Sequence, residues 1–178
     1  MIVQGMKDWK VPGLAAIVVK DGEAVFQETY GVKNLETKEP VDRNTLFNMA
    51  STTKAIVAIA MGMLVDDGKL NWDDKVTDYV PYFKLTDSYT TADARVKDLL
   101  THNLGIGNAD ALWIMDSLST KETIERFQFA NKTYPLRGGF TYQNIMYAVA
   151  GEVIATASGK PWNEFVQERI FTPLGMTR

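Results

Sequence analysis

The chain contains no cysteine and a single histidine, His102. The first absence excludes disulfides, thiol catalysis and cysteine-bound metal, and the second excludes a histidine-rich metal centre. A Ser–His–Asp triad would have to use His102. Its place after Leu99-Leu100-Thr101 reads instead as a helix end, where a histidine commonly binds free carbonyls. Carboxylates do not cluster at ligand spacing; Asp66-Asp67 and Asp73-Asp74 read as solvated turn charges. Basic runs are missing too, and the net charge is −3, so nucleic acid is not an expected partner. The longest apolar run, Ala55 to Val65, is only a buried helix long and is interrupted by Gly62, so no membrane span is expected. Met1 to Lys10 lacks the apolar stretch of a signal peptide. Two glycines stand in Asn103-Leu104-Gly105-Ile106-Gly107, but no Lys-Ser/Thr follows, which argues against a phosphate-binding loop.

What is present suits an ordinary globular domain. The 178 residues are 46% hydrophobic and 23% charged, enough for one sizeable core. A short helix over about residues 2–10 is ended by Val11-Pro12-Gly13. Residues 14–31 read as a hairpin, two strand-like runs around the turn signal Asp21-Gly22. The remainder is mostly helical. Residues 51–66 are apolar on nearly every side, which predicts burial all round, with Gly68 as the C-terminal cap. Short helices are expected over 76–80 and 95–101. Ser119-Thr120-Lys121-Glu122 is a capping box opening a helix to about Phe129. Residues 142–157 read as an amphipathic helix, and Ser158-Gly159-Lys160-Pro161 separates it from another ending near Ile170. One hairpin among about seven helices is too little sheet, because a two-stranded ribbon is marginal alone. The missing strands are expected from a partner chain or from further sequence.

Two short motifs carry chemistry. Ser51 and Lys54, at the start of the 51–66 helix, place a hydroxyl and an ammonium one turn apart. With 5 serines and 13 lysines in the chain, chance supplies about 0.4 such pairs, so the spacing alone decides little. The plain alternative makes Ser51 a helix cap and Lys54 a solvated residue. Against it, a first-turn cation opposes the helix dipole, and burial beside Ala55–Val65 would make Lys54 a proton acceptor. Tyr142-Gln143-Asn144 is the only Tyr-x-Asn, and chance supplies about 0.35 of these. Tyr142 could be a buried, hydrogen-bonded tyrosine and Asn144 a helix cap. A phenol beside an ammonium could equally ionise near neutral pH and act as a base.

In this order the segments resemble the serine β-lactamase and penicillin-binding protein superfamily, in its class C-like branch of β-lactamases, D-amino-acid peptidases and esterases. The resemblance runs through Val11-Pro12-Gly13-Leu14, Phe47 to Lys54, Leu64 to Val80, Asp98 to His102, Phe140 to Asn144, Gly151 to Ile154, Ser158 to Lys160 and Pro173 to Thr177. It implies an α/β (α+β) β-lactamase/transpeptidase-like fold, an antiparallel sheet flanked by helices plus an all-helical lobe. Residues 1–178 would be a single incomplete domain, with the first helix and hairpin in 1–50 and the nucleophile helix and helical lobe in 51–178.

The resemblance also implies roles. Ser51 would be the acylated nucleophile, Lys54 and Tyr142 would share the base and acid work, and Asn144 would hydrogen-bond the substrate's amide. The Ser51 backbone N–H would give half of an oxyanion hole. No cofactor or metal is implied, and the partner would be a small-molecule or peptide substrate, a β-lactam, D-amino-acid peptide or ester. The location would be periplasmic or extracellular. Two alternatives stand beside the hydrolase: a penicillin-recognising sensor that acylates without turnover, and an inactive fragment. The family's Lys-Thr/Ser-Gly or His-x-Gly triplet does not follow residue 144, so the later strands are expected to be missing. Lacking one oxyanion donor would cost about 10²–10³ in rate. Asn103-Leu104 also replaces a small polar pair, and Gln143 stands where serine is common.

Overall fold

The computed structural model describes residues 1–114 and 118–177. Contacts divide the chain into two compact units, the first spanning Met1–Met49 and the second starting at Ala50. In the first, helix α1 (Ile2–Trp9) ends on Lys10 in the left-handed region, with the Val11 N–H closing on the Met6 carbonyl at 2.9 Å. Strands β1 (Gly13–Lys20) and β2 (Glu23–Gly31) pair antiparallel, from Gly13 opposite Gly31 to Lys20 opposite Glu23, with one irregularity at Val18/Val19. Asp21 and Gly22 have φ of 52° and 82°. Two consecutive positive values make the turn whose twist matches that of the flanking strands, and Asp-Gly is a sequence suited to it. None of the strand residues is buried, and Ile17, Val18, Val19 and Val25 are more than half exposed. These are the only two strands among the described residues.

The second unit is helical. It opens with a 3₁₀ turn over Ala50–Thr52 and α2 (Thr53–Asp66), followed by α3 (Val76–Tyr79), α4 (Ser88–Asp93), α5 (Asp98–Thr101) and α6 (Ala111–Ile114). Then come α7 (Thr120–Phe127), α8 (Ile145–Ser158) and α9 (Trp162–Val166), which runs on into a π turn over Gln167–Phe171. The expectations for the two longest helices are reversed. Helix α2 buries one stripe, Val57, Ala60, Met61 and Leu64, and leaves Ala55 and Ile59 exposed rather than being covered all round. Helix α8 is the central element rather than an amphipathic one. It packs against α2, α3, α5, α7 and α9 and buries seven residues from Ile145 to Ile154, leaving only Thr156 exposed. Each large aliphatic side chain taken fully out of water there contributes about 1.5–3 kcal/mol.

The capping box of α7 forms as its sequence predicts: Ser119 Oγ accepts from the Glu122 N–H, and Glu122 Oε2 from the Ser119 N–H. Helices α4 and α6 are additions to the sequence reading. Asp87 caps α4 by accepting from the Tyr89 and Thr90 N–H groups.

An ion pair between the exposed Arg137 and the buried Asp98 fixes the loop that leads to the Tyr-x-Asn segment. Arg137 donates through Nε and Nη2 to the two oxygens of Asp98, at 3.0 and 2.7 Å, and reaches Asp93 through Nη1 at 2.9 Å. Asp98 is buried, and the Arg137 N–H also donates to the Asn103 carbonyl at 2.7 Å. Arg137→Ala would strand a buried carboxylate. Because the Arg95 N–H still donates to Asp98, a loss of about 1–3 kcal/mol is expected in chemical denaturation of the full-length protein. Arg137→Lys should not restore it, because an ammonium cannot reproduce the two-pronged contact.

Candidate active site

Ser51 stands in the 3₁₀ turn before α2, exposed rather than buried. Ala50, just before it, has φ of 44°, a left-handed conformation costing a residue with a side chain about 1–2 kcal/mol. No side chain makes a capping bond at the start of α2. The Ser51 hydroxyl instead lies 2.6 Å from the Tyr142 hydroxyl and accepts from Lys54 Nζ at 3.2 Å.

Lys54 is half-buried and projects from the first turn of α2 toward the segment before α8. Its ammonium donates to Asn144 Oδ1 at 2.6 Å and sits 4.7 Å from the Tyr142 ring centre and 5.1 Å from that of Tyr147. Two aromatic faces, an amide oxygen and a hydroxyl thus surround the cation, each favourable to positive charge. Asn144 occupies the position preceding α8 but does not cap it with its side chain. Ser51, Lys54, Tyr142 and Asn144, which the sequence singles out, are therefore brought together, although 91 residues separate Ser51 from Tyr142.

The phenol of Tyr142 is more than a third exposed, open to an incoming molecule. The hydrogen bond from the Lys54 ammonium, then that with Ser51, holds it below the usual tyrosine value, against weak burial and the Asp110 charge. A phenol so held is a stronger acid, and its phenolate is populated closer to neutral pH.

His102 takes the left-handed position after α5, but it does not satisfy helix carbonyls as its sequence position suggests. Its Nδ1 accepts the Gln143 N–H at 3.0 Å, and its ring lies 4.6 Å from that of Tyr142, 5.4 Å from Phe140 and 5.6 Å from Tyr147. Accepting at Nδ1 requires the neutral ring with its proton on Nε2. Burial, then the nearby Lys54 charge, lowers its pKa in the same direction. His102 thus supports the Tyr142 ring from behind and has no contact with Ser51 among those described. Gln143 turns inward, is buried, and donates Nε2 to the Ile106 and Gly107 carbonyls at 2.7 and 2.8 Å. It ties the Tyr-x-Asn segment to the 104–110 loop. Gly105 allows that loop to come close: at φ 76°, a Cβ there would lie 2.2 Å from the Tyr134 carbonyl oxygen.

Asp110 is the group at this site that the sequence did not reveal. It accepts from Asn144 Nδ2 at 3.0 Å, from Asn108 Nδ2 at 3.1 Å and from Trp113 Nε1 at 3.0 Å. No local spacing signals a carboxylate meeting an asparagine 34 positions away. Among the described residues, no group of three histidine or carboxylate side chains could hold a metal ion, and no helix is long and apolar enough to cross a membrane.

The family model described as Beta-lactamase matches residues 1–178. Unguisins hydrolase ungD of Aspergillus violaceofuscus is 32% identical over 185 residues, covering 99% of this chain and 32% of its own length. Esterase EstB of Burkholderia gladioli is 31% identical over 189 residues, covering 97% of this chain and 48% of its own. The D-amino acid amidase of Ochrobactrum anthropi SV3 superposes with a TM-score of 0.82 at 28% identity, over 99% of this chain and 48% of that structure. The chain spans between 32% and 48% of the length of these curated relatives.

Proposed function

Because this chain belongs to the Beta-lactamase family, we propose that the full-length protein is a serine hydrolase that cleaves an amide or ester through an acyl-enzyme at Ser51. The observation carrying this reading is the 2.6 Å contact between the Ser51 and Tyr142 hydroxyls beside the Lys54 ammonium. A serine is a weak nucleophile until a base takes its proton, and the lowered Tyr142 phenol, once ionised, is at hydrogen-bond distance to do so.

In acylation, Ser51 Oγ attacks the carbonyl carbon while its proton passes to the Tyr142 phenolate. Lys54 holds that phenolate through its positive charge, and the Ser51 backbone N–H offers one donor to the oxyanion. Collapse of the tetrahedral species breaks the bond to the leaving nitrogen or oxygen. Tyr142 returns the proton to that atom, leaving an ester on Ser51. Water, deprotonated by the same phenolate, then attacks the ester and restores the serine. Asn144 hydrogen-bonds the substrate's amide through its free N–H. No step requires a metal or an organic cofactor.

The likeness to an esterase and to a D-amino acid amidase supports the ester and amide classes as the first to try. The test is turnover of an aryl ester, a D-amino acid amide and a chromogenic β-lactam by the full-length protein. Sustained release from the ester or the amide is expected. A β-lactam adduct stable for hours, with no turnover of any substrate, would replace the hydrolase reading with a penicillin sensor. Failure of all three to react would remove the acyl-enzyme reading.

A further inference from the structure

Asparagine has two ends of nearly the same shape, a carbonyl oxygen that only accepts and an amide nitrogen that only donates. Which end faces which neighbour is decided by those neighbours. At Asn144 they are opposite in character: Lys54, a pure donor, lies 2.6 Å from Oδ1, and Asp110, a pure acceptor when ionised, lies 3.0 Å from Nδ2. Turning the amide over would press its NH₂ against the ammonium and its oxygen against the carboxylate, replacing two charge-assisted bonds by two repulsions.

We propose that Asp110 is a positioning residue that locks the Asn144 amide in one orientation, and through it the Lys54 ammonium beside Ser51 and Tyr142. The inference rests on the serine-hydrolase reading and names a further residue for that site. Asp110 is well placed for the role because it is itself held. Trp113 Nε1 donates to its Oδ1, Asn108 Nδ2 to its Oδ2, and its own N–H donates to Asn108 Oδ1 at 2.9 Å. Asn108 Nδ2 also reaches the Tyr142 carbonyl at 3.0 Å, so the same loop grips both functional residues of the Tyr-x-Asn segment. Burial alone would raise the Asp110 carboxyl. The donors Trp113, Asn108 and Asn144, with the Lys54 charge behind them, outweigh it and keep the carboxylate ionised. Without it, Asn144 Nδ2 loses its charged acceptor, and the amide is held from the Lys54 side alone.

The experiment compares Asp110→Ala and Asp110→Asn in the full-length protein, reading kcat and KM on the best substrate, with thermal melts of each variant. Ser51→Ala serves as the control for the underlying reading. Asp110→Ala is expected to lower kcat by about 10²-fold, the cost of a misplaced catalytic group, with a melt lowered by the loss of its three side-chain bonds but still cooperative. Asp110→Asn keeps one oxygen that can accept from Asn144 Nδ2 while losing the acceptor for the Trp113 N–H, so it should recover kcat to within about tenfold of the parent but not fully. This rescue is a readout that simple loop packing would not give in kcat. Parental kcat in Asp110→Ala overturns the proposal, and so does an Asp110→Asn variant as impaired as Asp110→Ala. If Asp110→Ala fails to fold, the Asp110→Asn result decides alone: recovery supports the role and a 10²-fold loss overturns it. Activity surviving in Ser51→Ala would instead sink the hydrolase reading itself.

Discussion

Ser51→Ala in the full-length protein is expected to lower kcat on the order of 10⁶-fold while leaving the thermal melt within a degree or two of the parent. The size follows from the role, since Ser51 would carry the acyl intermediate and only binding and oxyanion contacts would remain without it. The small effect on folding follows from the structure. Ser51 is exposed, and its hydroxyl meets Tyr142 and Lys54 of the same site. Were Ser51 a structural cap, the result would be inverted: about 0.5–2 kcal/mol of stability lost and activity retained. Steady-state kinetics and a melt on the same preparation separate the two.

Tyr142→Phe carries the second largest effect, a fall in kcat of about 10²–10⁴-fold, the range for a general base. The substitution keeps the ring that packs against His102 and lies under Lys54, so the loss isolates the hydroxyl. The pH profile gives an independent check. The reactive form is the phenolate, and its pKa lies below the ordinary 10.0 because Lys54 and Ser51 hydrogen-bond to it. Activity should therefore rise with pH through that lowered value and fall as pH drops beneath it. In Tyr142→Phe that rising limb should vanish. The charged and titratable groups around the phenol are Lys54, Asp110, His102 and Tyr147. Burial and the Lys54 charge push the His102 pKa down, and a limb that persists in Tyr142→Phe would belong to another group such as His102. A Tyr142→Phe variant with an unchanged rate would take the phenol out of the mechanism.

How much of this was readable in the chain depends on distance along it. Signals that act within a few residues came through: Asp21-Gly22 as the hairpin turn and Ser119 to Glu122 as a capping box both formed as their local chemistry requires. The four site residues were nameable because two short motifs coincided with a family resemblance, even though each motif alone is as common as chance. What stayed hidden was tertiary. The Asn144–Asp110 and Arg137–Asp98 pairs join residues 34 and 39 positions apart, and nothing in the flanking sequence marks either partner. Helices α4 and α6, of six and four residues, are too short to show a period. The burial of α2 and α8 was misjudged for a similar reason. Both are apolar along their length, and only the number of packed neighbours decides which one ends up enclosed. Lys54 was recognised as a cation near apolar residues, but the aromatic faces of Tyr142 and Tyr147 that hold it come from far along the chain.

The most direct test of the account is covalent capture of the nucleophile. The full-length protein is treated with a fluorophosphonate, the adduct is counted by intact mass, and its position is mapped by peptide sequencing. One adduct per chain is expected, on Ser51, blocked by prior incubation with substrate and missing in Ser51→Ala. An adduct on another residue that persists in Ser51→Ala, or hydrolysis that continues undiminished in fully labelled protein, would contradict it.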